Sequence, residues 1–425
     1  MSSLEAAAPS VPYRPSAPWN APPPEGGRSP LRFLNRPGLP GLLIKNMLLT
    51  IMTLGLYRFW ARTALRRYWW GNVLIDDEPL EYTGTGSELF LGFLYFLLII
   101  SPFGVVWVVA KAYAASDEIE LALTLSFYIF GMFMLLPVAM FRARRYRMSR
   151  TRWRGIRGGM SGSTWRFIGI TLAGFAATLL SLGVMMPWMR VCQTRYITKC
   201  SSFGNQTMSF DGRSRDLVLR WLGVLAGPFG LVLLSGLIFG AALWHHLATG
   251  GSIEDDAVGG LAAASAIPTV LAIPILSVGW IWYSVYEFRY ILNHTLIGSM
   301  RLQSSVQPWQ VTGFVLAFFV VGGFVFWILF AILAFIATII AAIVAQGDAN
   351  AMGPAMAGLF FGVYALSFVV LSILRVAILD KLVVRMLVQS AAIDGAAGLG
   401  GIRQSAASMP GSGEGMADAF DLGAF

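Results

Sequence analysis

Long apolar runs in this chain end in one spaced signature: a Trp, six residues, then Arg-Tyr. It occurs as Trp60…Arg67-Tyr68, Trp188…Arg195-Tyr196 and Trp282…Arg289-Tyr290. A further copy, Arg145-Tyr146, has Val138 at the Trp position. A marker that recurs at fixed spacing after apolar runs points to a repeated membrane unit. This constrains the architecture strongly and leaves the activity open.

Composition enters because it excludes a soluble fold. The chain is 56% hydrophobic and 12% charged, against about 25% charged in a typical soluble domain. Eight apolar segments stand out, at about 41–60, 88–112, 119–140, 166–188, 217–247, 259–286, 309–346 and 357–384. A helix of about 20 such residues crosses a bilayer. The seventh segment is long for the hydrocarbon core and is expected to tilt, or to kink at Gly322-Gly323.

Charge then orders the topology. The segments carrying Arg-Tyr are basic, and the densest, Arg142–Arg157, holds eight Arg and no acid. The loops bearing Asp117, Glu118 and Glu120, then Glu254, Asp255 and Asp256, then Asp348 are acidic. Positive-inside bias places every signature on the cytoplasmic side. Segments two–three, five–six and seven–eight then pair as hairpins, whereas segments one and four have basic sequence on both sides. The economical solution is that those two enter and return on one side, turning at the Leu-Gly pairs that contain Gly55 and Gly183. The expected class is an all-α polytopic membrane protein of repeated helix/basic-segment units. It has about six full spans plus two re-entrant or interfacial segments; seven or eight full spans is the alternative, because 167–188 is an uncharged run.

The repeat extends past the signature. Tyr82-Thr-Gly84 precedes Glu88-Leu89, and Phe210-Asp-Gly212 precedes Asp216-Leu217, with the same Gly-to-acid spacing. An acid at a helix start suits the macrodipole. Lys381-Leu382 and Asp394-Gly395 read as a decayed fifth copy. Interfacial anchoring explains Trp, Tyr and Arg at such ends. The sharper reading is a set of headgroup or ligand contacts: Trp60, Arg62, Arg67, Tyr68, Asn72, Arg145, Tyr146, Trp188, Arg195, Tyr196, Trp282, Arg289 and Tyr290. Arg375, Asp380 and Lys381 near the end of segment eight are candidate intramembrane charges. A structural pair is the simpler account of them, as it is for Glu287 beside Arg289.

The net charge of +9 sits at apolar-run ends, which argues for anionic lipid headgroups as partners and against nucleic acid. Cys192 and Cys200 lack accompanying ligands, so no metal site is expected, and His245-His246 reads as a boundary cap. No catalytic signature or cofactor motif is present, so a non-enzyme is expected. Residues 1–31 and 391–425 read as disordered tails around a repeated domain, 32–390.

The stretch from Asn46 to Arg62, with Arg66-Arg67-Tyr68, Gly71-Asn72 and Leu80–Leu89, resembles the YjgN-like family of bacterial inner-membrane proteins. That resemblance implies a bacterial cytoplasmic membrane and supplies no activity or catalytic residue. Two functions remain open. One is binding or moving a small or lipidic ligand, with an anionic group the natural fit, in a cavity lined by the Arg-Tyr segments. The other is a non-transporting scaffold or regulator whose basic segments hold anionic lipid or a partner.

Overall fold

The computed structural model describes residues 27–114, 116–249, 256–344 and 349–404. Glu254, Asp255 and Asp348 lie outside the described residues. The described residues form five successive units, each a helical hairpin followed by short strands, paired in all but the last unit. The first begins with β1 (Arg28–Pro30), which continues through Leu31 into β2 (Arg32–Phe33). Then come α1 (Leu39–Met52), α2 (Arg58–Asn72), β3 (Val73–Ile75), β4 (Glu78–Pro79) and β5 (Glu81–Tyr82). The second unit has α3 (Gly86–Ala112), α4 (Asp117–Phe130), a π-helical turn (Gly131–Leu135), α5 (Leu136–Arg150), β6 (Thr151–Trp153) and β7 (Ile156–Met160). The third has α6 (Thr164–Leu180), α7 (Met186–Cys200), β8 (Ser201–Phe203) and β9 (Gln206–Phe210). The fourth has α8 (Ser214–Thr249), α9 (Asp256–Asn293), β10 (Thr295–Ile297) and β11 (Met300–Ser304). The fifth has α10 (Pro308–Val344), α11 (Ala349–Leu374), a π-helical turn (Arg375–Asp380), α12 (Lys381–Gln389) and β12 (Ala391–Asp394), ending in a 3-10 turn, Ala396–Gly401.

Six helices are long and apolar enough to cross a membrane, as three hairpins: 86–112 with 117–150, 214–248 with 263–293, and 308–340 with 356–389. The protein is therefore a helical polytopic membrane protein. Acids open α4 at Asp117, Glu118 and Glu120, and Lys111 meets Glu120 at 2.7 Å across that hairpin's tip. The α10 helix runs unbroken through Gly322-Gly323.

The two remaining hairpins are short and reverse where the Leu-Gly pairs lie. Leu54 and Gly55 have φ of 50° and 90°, and Leu182 and Gly183 have 51° and 91°. Glycine tolerates this left-handed backbone, whereas leucine is strained there. Gly55 N–H reaches Thr50 O at 2.7 Å and Gly183 N–H reaches Thr178 O at 2.7 Å. In each tip a hydroxyl accepts from the returning helix: Thr53 from Tyr57 N–H and Ser181 from Met185 N–H, both at 2.9 Å. Both hairpins leave and rejoin the strand layer at one side, which resolves the charge conflict of segments one and four.

The strands were not anticipated by a purely helical reading. Each unit's outgoing strand pairs with its own return strand, and each return strand pairs with the next unit's outgoing strand. β4 and β5 are successive stretches of one segment, pairing with β3 and β6. β12 has no return strand of its own; β1 occupies that place, while β2 pairs with β3. Because β1 runs into β2 and β4 into β5, the nine-stranded and three-stranded sheets join into one ring of antiparallel strands. The outgoing and return strands are joined by the two-residue turns Asp76-Asp77, Arg154-Gly155, Gly204-Asn205 and Gly298-Ser299. The first two turns have positive φ at both residues, the geometry that matches strand twist.

The ring's interior is packed. Trp153, Met300, Ile393, Leu399 and Ile402 are buried together, with Ile75, Leu80, Ile156, Phe203 and Leu31 against them. The segment after β12 turns inward and fills the ring. Arg403 and Asn205 exchange two bonds, Asn205 N–H to Arg403 O at 2.9 Å and Arg403 N–H to Asn205 Oδ1 at 3.0 Å. Two tail boundaries therefore move: residues 28–30 form a strand, and 391–404 form a strand and a plug. Their short apolar stretches find partners only across the whole chain. Above the ring, each hairpin packs on its sequence neighbours, and α1 meets α11. At most 17% of the residues in any span's most apolar window are buried, so the spans do not close around a bundle core.

Candidate functional site

The signature arginines share one partner type. Arg67 donates to Gly84 O at 3.0 Å, Arg195 to Gly212 O at 3.0 Å and Arg289 to Val306 O at 3.4 Å; Arg145 donates likewise to Gly162 O. The acceptor lies 17 residues downstream in every case. That carbonyl belongs to the turn that opens the next hairpin. The tyrosines tie backward, to the start of their own hairpin. Tyr68 donates to Arg36 O at 2.7 Å and Tyr196 to Ser163 O at 2.8 Å, while Tyr146 reaches the Glu88 carboxylate. Tyr290 accepts from Arg213 N–H at 2.7 Å and lies 2.9 Å from both Arg213 O and Asp216 Oδ2. The Arg-Tyr pair is thus a double latch, forward through Arg and backward through Tyr. Hydrogen bonds to a charged group are worth about 1.5–3 kcal/mol each.

The aromatic-x-Gly motif belongs to the same joint. A Cβ on Gly84 would fall 2.6 Å from the Tyr82 hydroxyl oxygen, and one on Gly212 would fall 2.4 Å from Phe210. The aromatic folds over the glycine, exposing its carbonyl to the latch. Strand register also identifies the fifth copy. Arg67, Arg145, Arg195 and Arg289 each precede their outgoing strand by the interval that separates Arg385 from β12. The decayed signature is Arg385-Met386, and Lys381-Leu382 is not its counterpart.

The other candidates divide. Asn72 is fully buried, accepts from Arg36 N–H at 3.0 Å and donates to Tyr68 O at 2.7 Å, a structural role. Tyr68 is held above the usual tyrosine range by burial, which outweighs the opposing effects of Asn72 and Arg36. Trp60 lies against Phe90 and Tyr57, with Gly86 beneath it. Trp188 is exposed on α7, and Arg62 is half-buried on α2. Arg375 and Asp380 pair at 3.6 Å; the π-helical turn brings residues five apart onto one face. Lys381, next in sequence, begins α12. Glu287 is buried and pairs with Arg190 of α7 at 3.0 Å, rather than with its neighbour Arg289. The Cys192 thiol is pushed up by burial, partly countered by Arg195. No group of three metal-ligating side chains occurs among the described residues. The basic segment 142–157 is partly neutralised: Arg150 pairs with Glu88 at 2.8 Å, and Arg154 with Asp76 at 2.8 Å and Glu78 at 3.0 Å.

One signature residue, Trp282, lines a lateral groove. It holds about 470 Å³ between α8 and α9 and is lined by Arg220, Gly223, Gly227, Gly279, Trp282 and Trp309, with apolar residues between. Gly279 lets the helices meet closely, since a Cβ there would lie 2.5 Å from Val224. Gly223 faces open space. Arg220 is exposed and rests over the Tyr286 face at 5.6 Å, with no carboxylate partner among the described residues. The Trp282 indole N–H has no acceptor among them either. Trp282 belongs to the repeated signature, whereas Arg220 stands outside it and carries no recurrent marker.

Comparison with known proteins agrees with this architecture. The chain is 38% identical over 58 residues to inner membrane protein YjgN of Salmonella typhimurium, covering 14% of this chain and 15% of that protein. It is 36% identical over 56 residues to YjgN of Escherichia coli K12, covering 13% and 14%. For YjgN of E. coli O157:H7 the figures are 30% over 116 residues, covering 27% of each. The matched stretches are thus a minor part of those relatives' lengths. No solved structure matches significantly. The profile of a family described as bacterial protein of unknown function (DUF898) matches residues 36–321. A match over that much of the chain, on a fold of repeated membrane hairpins, places this protein in the DUF898 family.

Proposed function

We propose that this protein binds anionic phospholipid in the bacterial cytoplasmic membrane and acts as a lipid-holding element rather than a conduit, with the strand ring on the cytoplasmic side. The observation that carries the reading is the groove between α8 and α9. It offers a cation with no carboxylate partner among the described residues, two Trp, and open space over Gly223 that suits an acyl chain. Trp at the headgroup level and Arg on a lipid phosphate are the expected arrangement. A solute path along the unit axis is disfavoured by the apolar plug in the ring. The Arg and Tyr that a central cavity would need are engaged with backbone instead.

The lipid test uses native mass spectrometry of the full chain in an uncharged maltoside, with phosphatidylglycerol or phosphatidylcholine added. Arg220→Gln and Gly223→Leu are each expected to cut retained phosphatidylglycerol about tenfold, the equivalent of one charge-assisted hydrogen bond. A Cβ at residue 223 meets no protein atom within 4 Å, so the leucine has room to enter the groove. Equal retention in all three proteins, or equal retention of the two lipids, would defeat the reading.

Sidedness is tested by thiol labelling of intact cells in a Cys192→Ser, Cys200→Ser background. Asn205→Cys and Ser299→Cys on the ring should label only after permeabilisation. Glu118→Cys, exposed at the start of α4, should label from outside. Outside labelling of Asn205→Cys would invert the proposed orientation.

A further inference from the structure

A second cleft of about 470 Å³, lined wholly by polar residues, sits where β1 closes the ring. In a chain that is 56% hydrophobic, such a lining needs a cause. Three guanidiniums from three elements meet there: Arg28 of β1, Arg289 of α9 and Arg301 of β11, with Asn293, His294 and Gln303 beside them. Register produces this convergence. Asp394 of β12 has Arg28 opposite it on one side and Arg301 opposite it on the other. Leu302 packs into the ring core, so its neighbours Arg301 and Gln303 face outward by strand alternation. The α9 helix ends above them, bringing Arg289 and Asn293 to the rim.

The acids present do not exhaust this charge. Arg28 meets Asp394 at 3.7 Å, and Arg301 meets Asp211 at 2.8 Å; neither aspartate lines the cleft. Among the described residues Arg289 makes one hydrogen bond, to the Val306 carbonyl. A guanidinium carries five N–H donors, so most remain available. The His294 Nδ1 lies 2.8 Å from Tyr290 O. That carbonyl only accepts, so Nδ1 holds the proton there. Planar forks approaching from several directions fit a tetrahedral, multiply charged oxyanion better than a single carboxylate.

We infer that this cleft binds a phosphate or pyrophosphate group, at a site separate from the lipid groove and independent of it. The group can belong to a soluble phosphorylated compound or to a lipid headgroup, and two arms separate these sources. In the first, sodium pyrophosphate is titrated calorimetrically into the full chain in maltoside at fixed ionic strength. In the second, phosphatidylglycerol retention is measured by native mass spectrometry in an Arg220→Gln background, which removes the groove's cation. Arg28→Gln and Arg301→Gln should each weaken one of these signals about tenfold. Arg32→Gln serves as the control. It removes the same charge from an exposed pair with Asp77 at 2.8 Å elsewhere on the ring, and should leave both signals unchanged. A loss confined to the first arm identifies a soluble ligand, and one confined to the second identifies a lipid headgroup. The inference is overturned if neither arm depends on Arg28 and Arg301, or if Arg32→Gln weakens binding equally.

Discussion

Ending the chain after Asp394 lowers stability by about 3–6 kcal/mol, the expected cost of losing two buried aliphatic side chains from a core. Leu399 and Ile402 fill the strand ring and are 8% and 7% exposed. Removing them leaves Trp153, Ile156 and Phe203 facing a void. It also strips Asn205 and Arg157 of their bonds to Arg403 and Gln404. Domains are stable by only about 5–15 kcal/mol in total, so the shortened chain approaches its unfolding threshold. The check is the melting midpoint in detergent, against a chain ended after Gln404 that retains every described contact of the plug. Equal midpoints for the two would show that the plug adds nothing.

Trp153→Ala is expected to cost about 3–5 kcal/mol, the range for truncating a buried aromatic. Trp153 is 1% exposed at the centre of the ring. Its indole N–H donates to Ile75 O at 3.1 Å, joining the second unit to the first, and Arg154 lies over its face at 4.4 Å. Trp153→Phe keeps much of the volume and loses that bond, so a smaller cost of about 0.5–1.5 kcal/mol is expected beyond any packing change. Denaturant or thermal unfolding in maltoside checks both. A Phe variant as damaged as the Ala variant would mean that the bond, not the packing, holds the joint.

Much of the membrane layer was legible in the residues. Loop charge favoured a return for segments one and four over full spans, and Gly55 and Gly183 are where the chain turns. The ring was not legible. Its strands run two to five residues, too short for alternation to register. Their turn pairs, such as Asp76-Asp77 and Gly204-Asn205, were visible but lay inside stretches that read as basic interfacial sequence. The role of Arg-Tyr was hidden for another reason. Its partners are backbone carbonyls, which carry no residue identity, so recurrence was detectable while purpose was not. What Arg67, Arg145, Arg195 and Arg289 share is a carbonyl 17 residues away. Arg220 has no repeated spacing and became visible only through what surrounds it.

The substitution of β1 for the missing return strand bears on how the protein is made. Every other strand pair joins segments within one unit or in adjacent units, whereas Arg28 meets Asp394. Contacts that far apart in sequence form slowly, because the loop they close must be ordered first. During synthesis, five hairpins can enter the bilayer one after another while β1 waits, unpaired, for a strand not yet translated. Ring closure is then the final step of folding, and it completes the cleft formed by Arg28, Arg289 and Arg301 at the same moment.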